Sequence, residues 1–470
     1  VNVLPERVYG ITTSNIHQPS NAFAGHGAPT MKKPLIITLA LAAAVAGSAA
    51  LISFRSAPDA CCRLNPTAAP PKGCVFKTVY EGEGLDPAFV LKTPAEVLTS
   101  ENRAYDWMIT AQNADGGFAA GSHSAQSVMD PHAAPSDPAT TAMVSMALLR
   151  AGSTVKEGRF ADVLKRATEF LLKSVENSPQ DALNITTLTG TQIQVKLGQN
   201  IDVALTAQYL SNLMGRLPCN DPKHDRWMNA LNKSTAMIQR SQTANGSVQG
   251  SGWAGVLQSS FATNALESAQ HVGAEVDDKA LEQARDFQKS NFDANTGTVA
   301  TDAAAGVTLY AVSGSTRSSA KEARHAEETM ERAKREGKVD KAAPVTPAAL
   351  QKAGLSKDEA EKATTAYNVY NAAKVRAQSN DVISGFGNNG GEEFMSFLQT
   401  GESLIINRDH SWRNWYDATT ARLVGIQNND GSWNGHHCIT SPVFCTATAL
   451  LILSVNNDID ALVAQGATGG

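Results

Sequence analysis

The chain has 470 residues, 42% of them hydrophobic and 18% charged, with a formal net charge of −5 and a pI near 6.1. A sequence of this length and apolarity buries a large core, which excludes a fibrous or wholly disordered chain. Mild acidity, with no basic stripe interleaved with aromatics, excludes nucleic acid as a partner.

In chain order, residues 1–30 lack any core pattern and read as an upstream extension outside the fold. Met31-Lys32-Lys33 then leads into an uncharged apolar run, 34–54, that contains Gly47-Ser48-Ala49-Ala50. A basic start, an apolar middle and small residues at the end are the order of a secretory signal, so 31–54 is expected to export the chain. The run is also long enough to stay in a bilayer, so a membrane anchor is the alternative to cleavage. Either way the expected location is the periplasm, free or anchored facing it. Residues 55–90 form a Cys- and Pro-rich linker with Cys61, Cys62 and Cys74, and Cys219 stands in a later loop. Cys438 and Cys445 complete the six cysteines, and in an oxidising compartment they are expected to form a disulfide with each other.

From about residue 91 to 460, apolar residues recur at helical spacing and strand patterns are almost absent. Outer-type helices with one charged face are expected near 95–111, 159–177, 224–243, 277–290, 360–378 and 410–428. Each is followed by a nearly uncharged helix, near 138–151, 200–214, 257–272, 299–313, 391–405 and 441–455. Gly152, Gly215, Gly273 and Gly314 stand where the first four of these are expected to end in a left-handed cap. Six such hairpins predict an all-α fold, an (α/α)6 toroid with two concentric layers. Residues 315–358 are rich in charge and read as a helical insertion between pairs four and five, a tolerated surface excursion or, as the alternative, a protein-contact arm, and removable without unfolding the ring. Residues 461–470 read as a flexible tail.

The turns "QNADGGF" (112–118) and "QNNDGSW" (427–433) repeat the same Gln, Gly and aromatic pattern, with fainter copies at 239–248 and 288–299. This pattern resembles the repeat of squalene and terpenoid cyclases and of protein prenyltransferase β subunits, over about residues 90–460. The resemblance implies an α/α toroid. It also implies, for a cyclase, an Asp-x-Asp-Asp-Thr-Ala acid motif opening an inner helix, where this chain has "DPATTA" (137–142), with Ala139 and Thr140 in place of the later acids. For a prenyltransferase it implies a zinc triad, which is not reproduced, since Asp302 lacks a Cys two residues on and Cys445 stands where the inner-helix His belongs. Fold is therefore implied more strongly than reaction.

Because every hairpin runs outer then inner, all turns and all inner-helix N-termini are expected at one mouth. That would gather Asp137, Asp202, Gln258, Asp302, Asn389 and Trp433 as ligand-binding residues. Glu392 and Glu393 are expected to approach His436 and His437 as an acid–base set, with a metal left open. Trp433 reads equally as a wedge between hairpins, and the two carboxylates as helix-start acids. Three functions follow: a protein that binds a small molecule or peptide at the mouth, an envelope enzyme using the Glu/His set, and a terpenoid cyclase or prenyltransferase, which "DPATTA" and the missing zinc triad disfavour. Alanine at the four acid–base positions is expected to abolish binding and spare stability.

Overall fold

A computed structural model of the chain describes residues 92–250, 252–387 and 389–467. The signal-like segment and Cys61, Cys62 and Cys74 lie outside the described residues. Pair one is α1 (Ala95–Thr110) and α2 (Pro138–Arg150). Pair two is α3 (Ala161–Asn177) and α5 (Ile201–Met214), with the short α4 (Gln192–Leu197) between them. Pairs three and four are α6 (His224–Arg240) with α7 (Gly255–His271), and α8 (Asp278–Ser290) with α9 (Thr308–Arg335). After α10 (Pro347–Lys352), pair five is α11 (Lys357–Ala377) and α13 (Glu393–Asn407), separated by α12 (Asn380–Ile383). Pair six is α14 (Trp412–Gly425) and α15 (Pro442–Leu453), and α16 (Ile459–Gly466) closes the described chain.

The second members touch one another in the order α2, α5, α7, α9, α13, α15 and back to α2, so the inner layer is a closed six-helix ring. The fold is the expected α/α toroid. Every residue of α2, α13 and α15 is buried, although many are Ser or Thr. Their hydroxyls survive burial by donating to carbonyls one turn back. Ser145 Oγ bonds Thr141 O at 2.7 Å, Thr400 Oγ1 bonds Ser396 O at 2.9 Å and Thr448 Oγ1 bonds Phe444 O at 2.9 Å. Outer α3 instead buries one stripe, Leu164, Ala167, Thr168, Leu171, Leu172 and Val175, at helical spacing.

The repeated turn acquires a mechanical reason. Gln112 Nε2 donates to Gly116 O at 2.8 Å and to Val163 O of the next outer helix at 3.0 Å. Gln242 ties Gly246 O to Ala280 O, and Gln427 ties Gly431 O to Ser100 O, closing pair six onto pair one. Each glycine is left-handed and pressed on the next outer helix. A Cβ on Gly246 (φ 90°) would lie 2.1 Å from Gln283 O, whereas one on Gly297 (φ 71°), in the faintest copy, would meet nothing within 4 Å. Gly246→Ala should therefore cost about 2–3 kcal/mol, combining left-handed strain with overpacking, and Gly297→Ala only about 1–2 kcal/mol. Equal losses in urea melts would refute the clamp.

Three expectations change. Gly152 and Gly273 do cap their helices at φ 86°, but Gly215 keeps a right-handed φ of −63°. Gly314 lies inside α9, because this inner helix starts later than expected and runs on without a break. Ser315, Thr316, Arg317, Ser319 and Ala320 are consequently buried ring residues, so deletion of 315–358 would remove part of the core. The protruding part is the remainder of α9 packed on α11, with its own apolar cluster of Ala326, Met330, Ala349, Leu350, Ala360 and Ala363. Lastly, 459–466 is helical, not a free tail. Arg324 Nη1 donates to Val463 O at 2.7 Å and Gln465 Nε2 to Ser268 Oγ at 3.1 Å, holding α16 on the ring.

Candidate functional site

At the end of the ring where the inner helices begin, α4 and the loops before α13 and α15 are packed closely. Gly391 N donates to Ile439 O at 2.8 Å, and a Cβ on Gly435 would lie 1.9 Å from the same oxygen. Glu392 is fully buried. Its Oε1 accepts from the Lys196 ammonium at 2.9 Å and from the Tyr310 hydroxyl at 2.9 Å, while Oε2 has no partner. Lys196 Nζ also lies 3.8 Å from Cys438 Sγ, and burial pushes that thiol up in pKa, with Lys196 opposing and Glu392 adding to the rise. Four segments thus converge on one charged cluster.

The expected acid–base set does not assemble as written. Glu393 turns away from Glu392, accepting from Gly387 N at 2.8 Å and Asn389 Nδ2 at 3.4 Å, and burial raises its pKa to about 7. His436 and His437 are exposed and contact each other, Nδ1 to Nδ1 at 3.1 Å, and neither has a hydrogen bond to either glutamate. Cys438 and Cys445 are free thiols, which overturns the expected disulfide. Cys438 takes a left-handed φ of 60° beside Lys196, and Cys445 donates to Ile439 O at 3.7 Å, so the two sulfurs serve different neighbours. Among the described residues, no three His, Cys, Asp or Glu side chains converge as a metal site.

The other expected ligand residues are mostly structural. Gln258 accepts from Asn200 N at 2.8 Å, tying α7 to the start of α5. Trp433 is buried and donates from Nε1 to Leu423 O at 2.9 Å, the wedge between α14 and α15. Asp302 stands exposed before α9. Asp137 caps α2, accepting from Thr140 N and Ala120 N, both at 2.8 Å, and burial raises it to about 6. Asp202 accepts from Gln194 Nε2 at 2.7 Å and Ala139 N at 3.1 Å; burial and then Asp137 raise it to about 7.

These raised carboxylates set a pH dependence. Their native pKa values exceed the unfolded ones of about 4, so the folded state holds protons that the unfolded state has lost. The stabilisation is full below the unfolded pKa and disappears as pH rises through about 7. Unfolding midpoints in urea should fall from pH 5 to pH 8. Asp202→Asn should flatten that fall, since Gln194 Oε1 is unpartnered and can accept from the new amide after a flip. An unchanged slope in the variant would refute the assignment.

A cavity lies at the opposite end, among the C-terminal ends of the inner helices. It has a volume of about 490 Å3 and is roofed by Asp460, Ala461, Leu462, Ala464 and Gln465 of α16. One side carries Arg150, bonded to Glu402 at 2.7 Å and Asp458 at 2.8 Å, with Arg216 on the same Asp458 at 2.5 Å. Burial works against the Arg150 charge, but the two carboxylates outweigh it and raise its pKa. The other side carries Arg317, bonded to Glu267 at 2.7 Å; Glu267 is shared with Arg285. Burial alone would raise Glu267, yet Arg285, Arg317 and Lys321 hold it at about 2.

Sequence reasoning missed this end. The available signal was a lone charge in an otherwise uncharged inner helix: Arg150 in "ATTAMVSMALLRAG" and Glu267 in "SSFATNALESAQHVG". Lys196, in the apolar "QIQVKL", carried the same signal for the other end.

No protein-family model matches the chain, and no curated protein matches it. Among solved structures it is similar to type II terpene cyclase MstE from Scytonema. An apo point variant of that enzyme gives a TM-score of 0.34 at 12% identity, covering 80% of this chain and 99% of the cyclase. A variant in complex with geranylgeranyl dihydroxybenzoate gives a TM-score of 0.33 at 12% identity over the same shares. Apo MstE gives 0.28 at 12% identity, covering 78% of this chain and 100% of the cyclase.

Proposed function

We propose that this chain is an exported toroid protein that binds a small polar molecule in the cavity beneath α16. The supporting observation is that cavity, of about 490 Å3 and lined by Arg150, Arg317, Gln208, Ser268 and Glu402. Its size falls in the range of small-molecule sites, and its polar groups converge from several helices. Export rests on the signal-like order of residues 31–54. The test is a thermal-shift screen of the purified chain against small polar compounds, repeated with Ala464→Trp, which fills the cavity from its exposed roof. A hit on the wild type that disappears in the variant is expected; hits that persist would place the site elsewhere.

A second reading, an enzyme at the other end, is favoured by the unpartnered Glu392 Oε2 beside Lys196, Tyr310 and Cys438. Buried acids with strong neighbours are a recurrent feature of catalytic sites. Loss of a screening hit in Glu392→Gln but not in Ala464→Trp would favour it.

A further inference from the structure

We infer that the ligand of the cavity beneath α16 is a small organic monoanion, a carboxylate that also carries a hydrogen-bond donor; this rests on the binding reading above. Two buried polar atoms in the lining lack partners, and they are complementary. Arg317, 2% exposed, leaves Nε unbonded, and Gln208, 7% exposed, leaves Oε1 unbonded. A buried donor and a buried acceptor left open in one cavity each carry a desolvation penalty that a molecule offering the opposite groups removes.

The charges decide the sign and the size of the ligand charge. On the Arg317 side, Glu267 is shared by Arg285 and Arg317, Glu322 lies 3.9 Å from Arg285 but is bonded to Lys289 at 2.7 Å, and burial, together with the two guanidiniums, holds the Lys321 ammonium low in pKa despite Glu267 and Glu322. That wall is short of negative charge, and a carboxylate suits a guanidinium edge. Across the cavity, Arg150 and Arg216 are already matched by Glu402 and Asp458, with Asp460 on the roof. A second negative charge would face those carboxylates with no unpaired Lys or Arg among the described lining residues to meet it, which disfavours a phosphate dianion. Val272, Ala461 and Leu462 supply apolar lining for a short hydrocarbon body. The donor end of the molecule then reaches Gln208.

Calorimetric titration of the full chain above neutral pH tests this with four probes of similar size: mandelate, mandelamide, phenylacetate and phenyl phosphate. Mandelate is expected to bind about tenfold more tightly than mandelamide or phenyl phosphate, and about fivefold more tightly than phenylacetate, the range of one charge-assisted and one neutral hydrogen bond. Gln208→Leu breaks no ion pair and should erase the difference between mandelate and phenylacetate. Arg317→Lys retains a charge for Glu267 but not the Nε donor, and should weaken mandelate about tenfold. Mandelamide or phenyl phosphate binding as tightly as mandelate would overturn the anion inference and leave the binding reading standing. Affinities indifferent to both substitutions would overturn the placement of the ligand at Arg317 and Gln208. No saturable heat from any probe, with no thermal-shift hit sensitive to Ala464→Trp, would bring down the binding reading and the inference with it.

Discussion

Glu392→Ala is expected to destabilise the protein by about 3–5 kcal/mol, the usual result of removing one partner from a buried ion pair. The reason lies in what remains. Lys196 is 6% exposed in its side chain, and the carboxylate at 2.9 Å is its counter-charge. Without it the ammonium is left with the Cys438 sulfur at 3.8 Å and the Tyr310 ring 5.9 Å away, and the Tyr310 hydroxyl loses its acceptor. This replaces the expectation that alanine at the mouth would spare stability, because the side chain is part of the packing and not a free wall. Cys438 provides a second readout. Glu392 raises the pKa of that thiol while Lys196 lowers it, so Glu392→Ala should bring it down and speed alkylation of Cys438 near neutral pH. Denaturant titration measures the first effect and mass-spectrometric alkylation kinetics the second. A stable variant with unchanged alkylation would show that the three groups do not share charge.

Arg150→Ala should cost a similar amount, about 3–5 kcal/mol, at the other end of the ring. Its guanidinium joins Glu402 of α13, Asp458 beyond α15 and Leu451 O, at 2.7, 2.8 and 2.8 Å, so one side chain closes three strands of packing. Asp458 keeps Arg216, but Glu402 is left buried and unpaired. The double variant Arg150→Ala, Glu402→Ala should recover part of the loss, which a double-mutant cycle of unfolding free energies would measure. A double variant no better than the single one would show that the pair is not coupled.

The hairpin count, the outer and inner characters and the ring were legible because they follow from local periodicity. The Gln, Gly and aromatic turns were legible because one glycine serves both a left-handed backbone and a close approach, so only that residue type can recur there. Helix starts expected near 95, 138, 224, 277 and 441 fall within one residue of the observed Ala95, Pro138, His224, Asp278 and Pro442. The failure at Gly314 was of another kind. A glycine after an apolar run reads as a cap, and only the neighbouring Gln288, whose Oε1 would meet a Cβ at 2.4 Å, explains why a glycine is needed within a continuing helix.

The site divided along the same line. Which residues carry charge at each end was written in the chain, but Glu392 was expected beside the histidines and Cys438 in a disulfide, whereas both lie beside Lys196. Their partners come from segments separated by 242 positions in one case and 82 in another, and no local pattern specifies such pairings. Nor does periodicity say which end of a ring is filled. The loops beside Gly391 and Gly435 pack tightly over one end, while α16, which had read as a tail, bridges the other and leaves a cavity under it. Local sequence determined the helices and their buried faces, since these depend on neighbours within one or two turns. Tertiary structure alone decided which charges are paired, which polar atoms stay open and where a ligand fits, because those depend on side chains brought together by closing the ring.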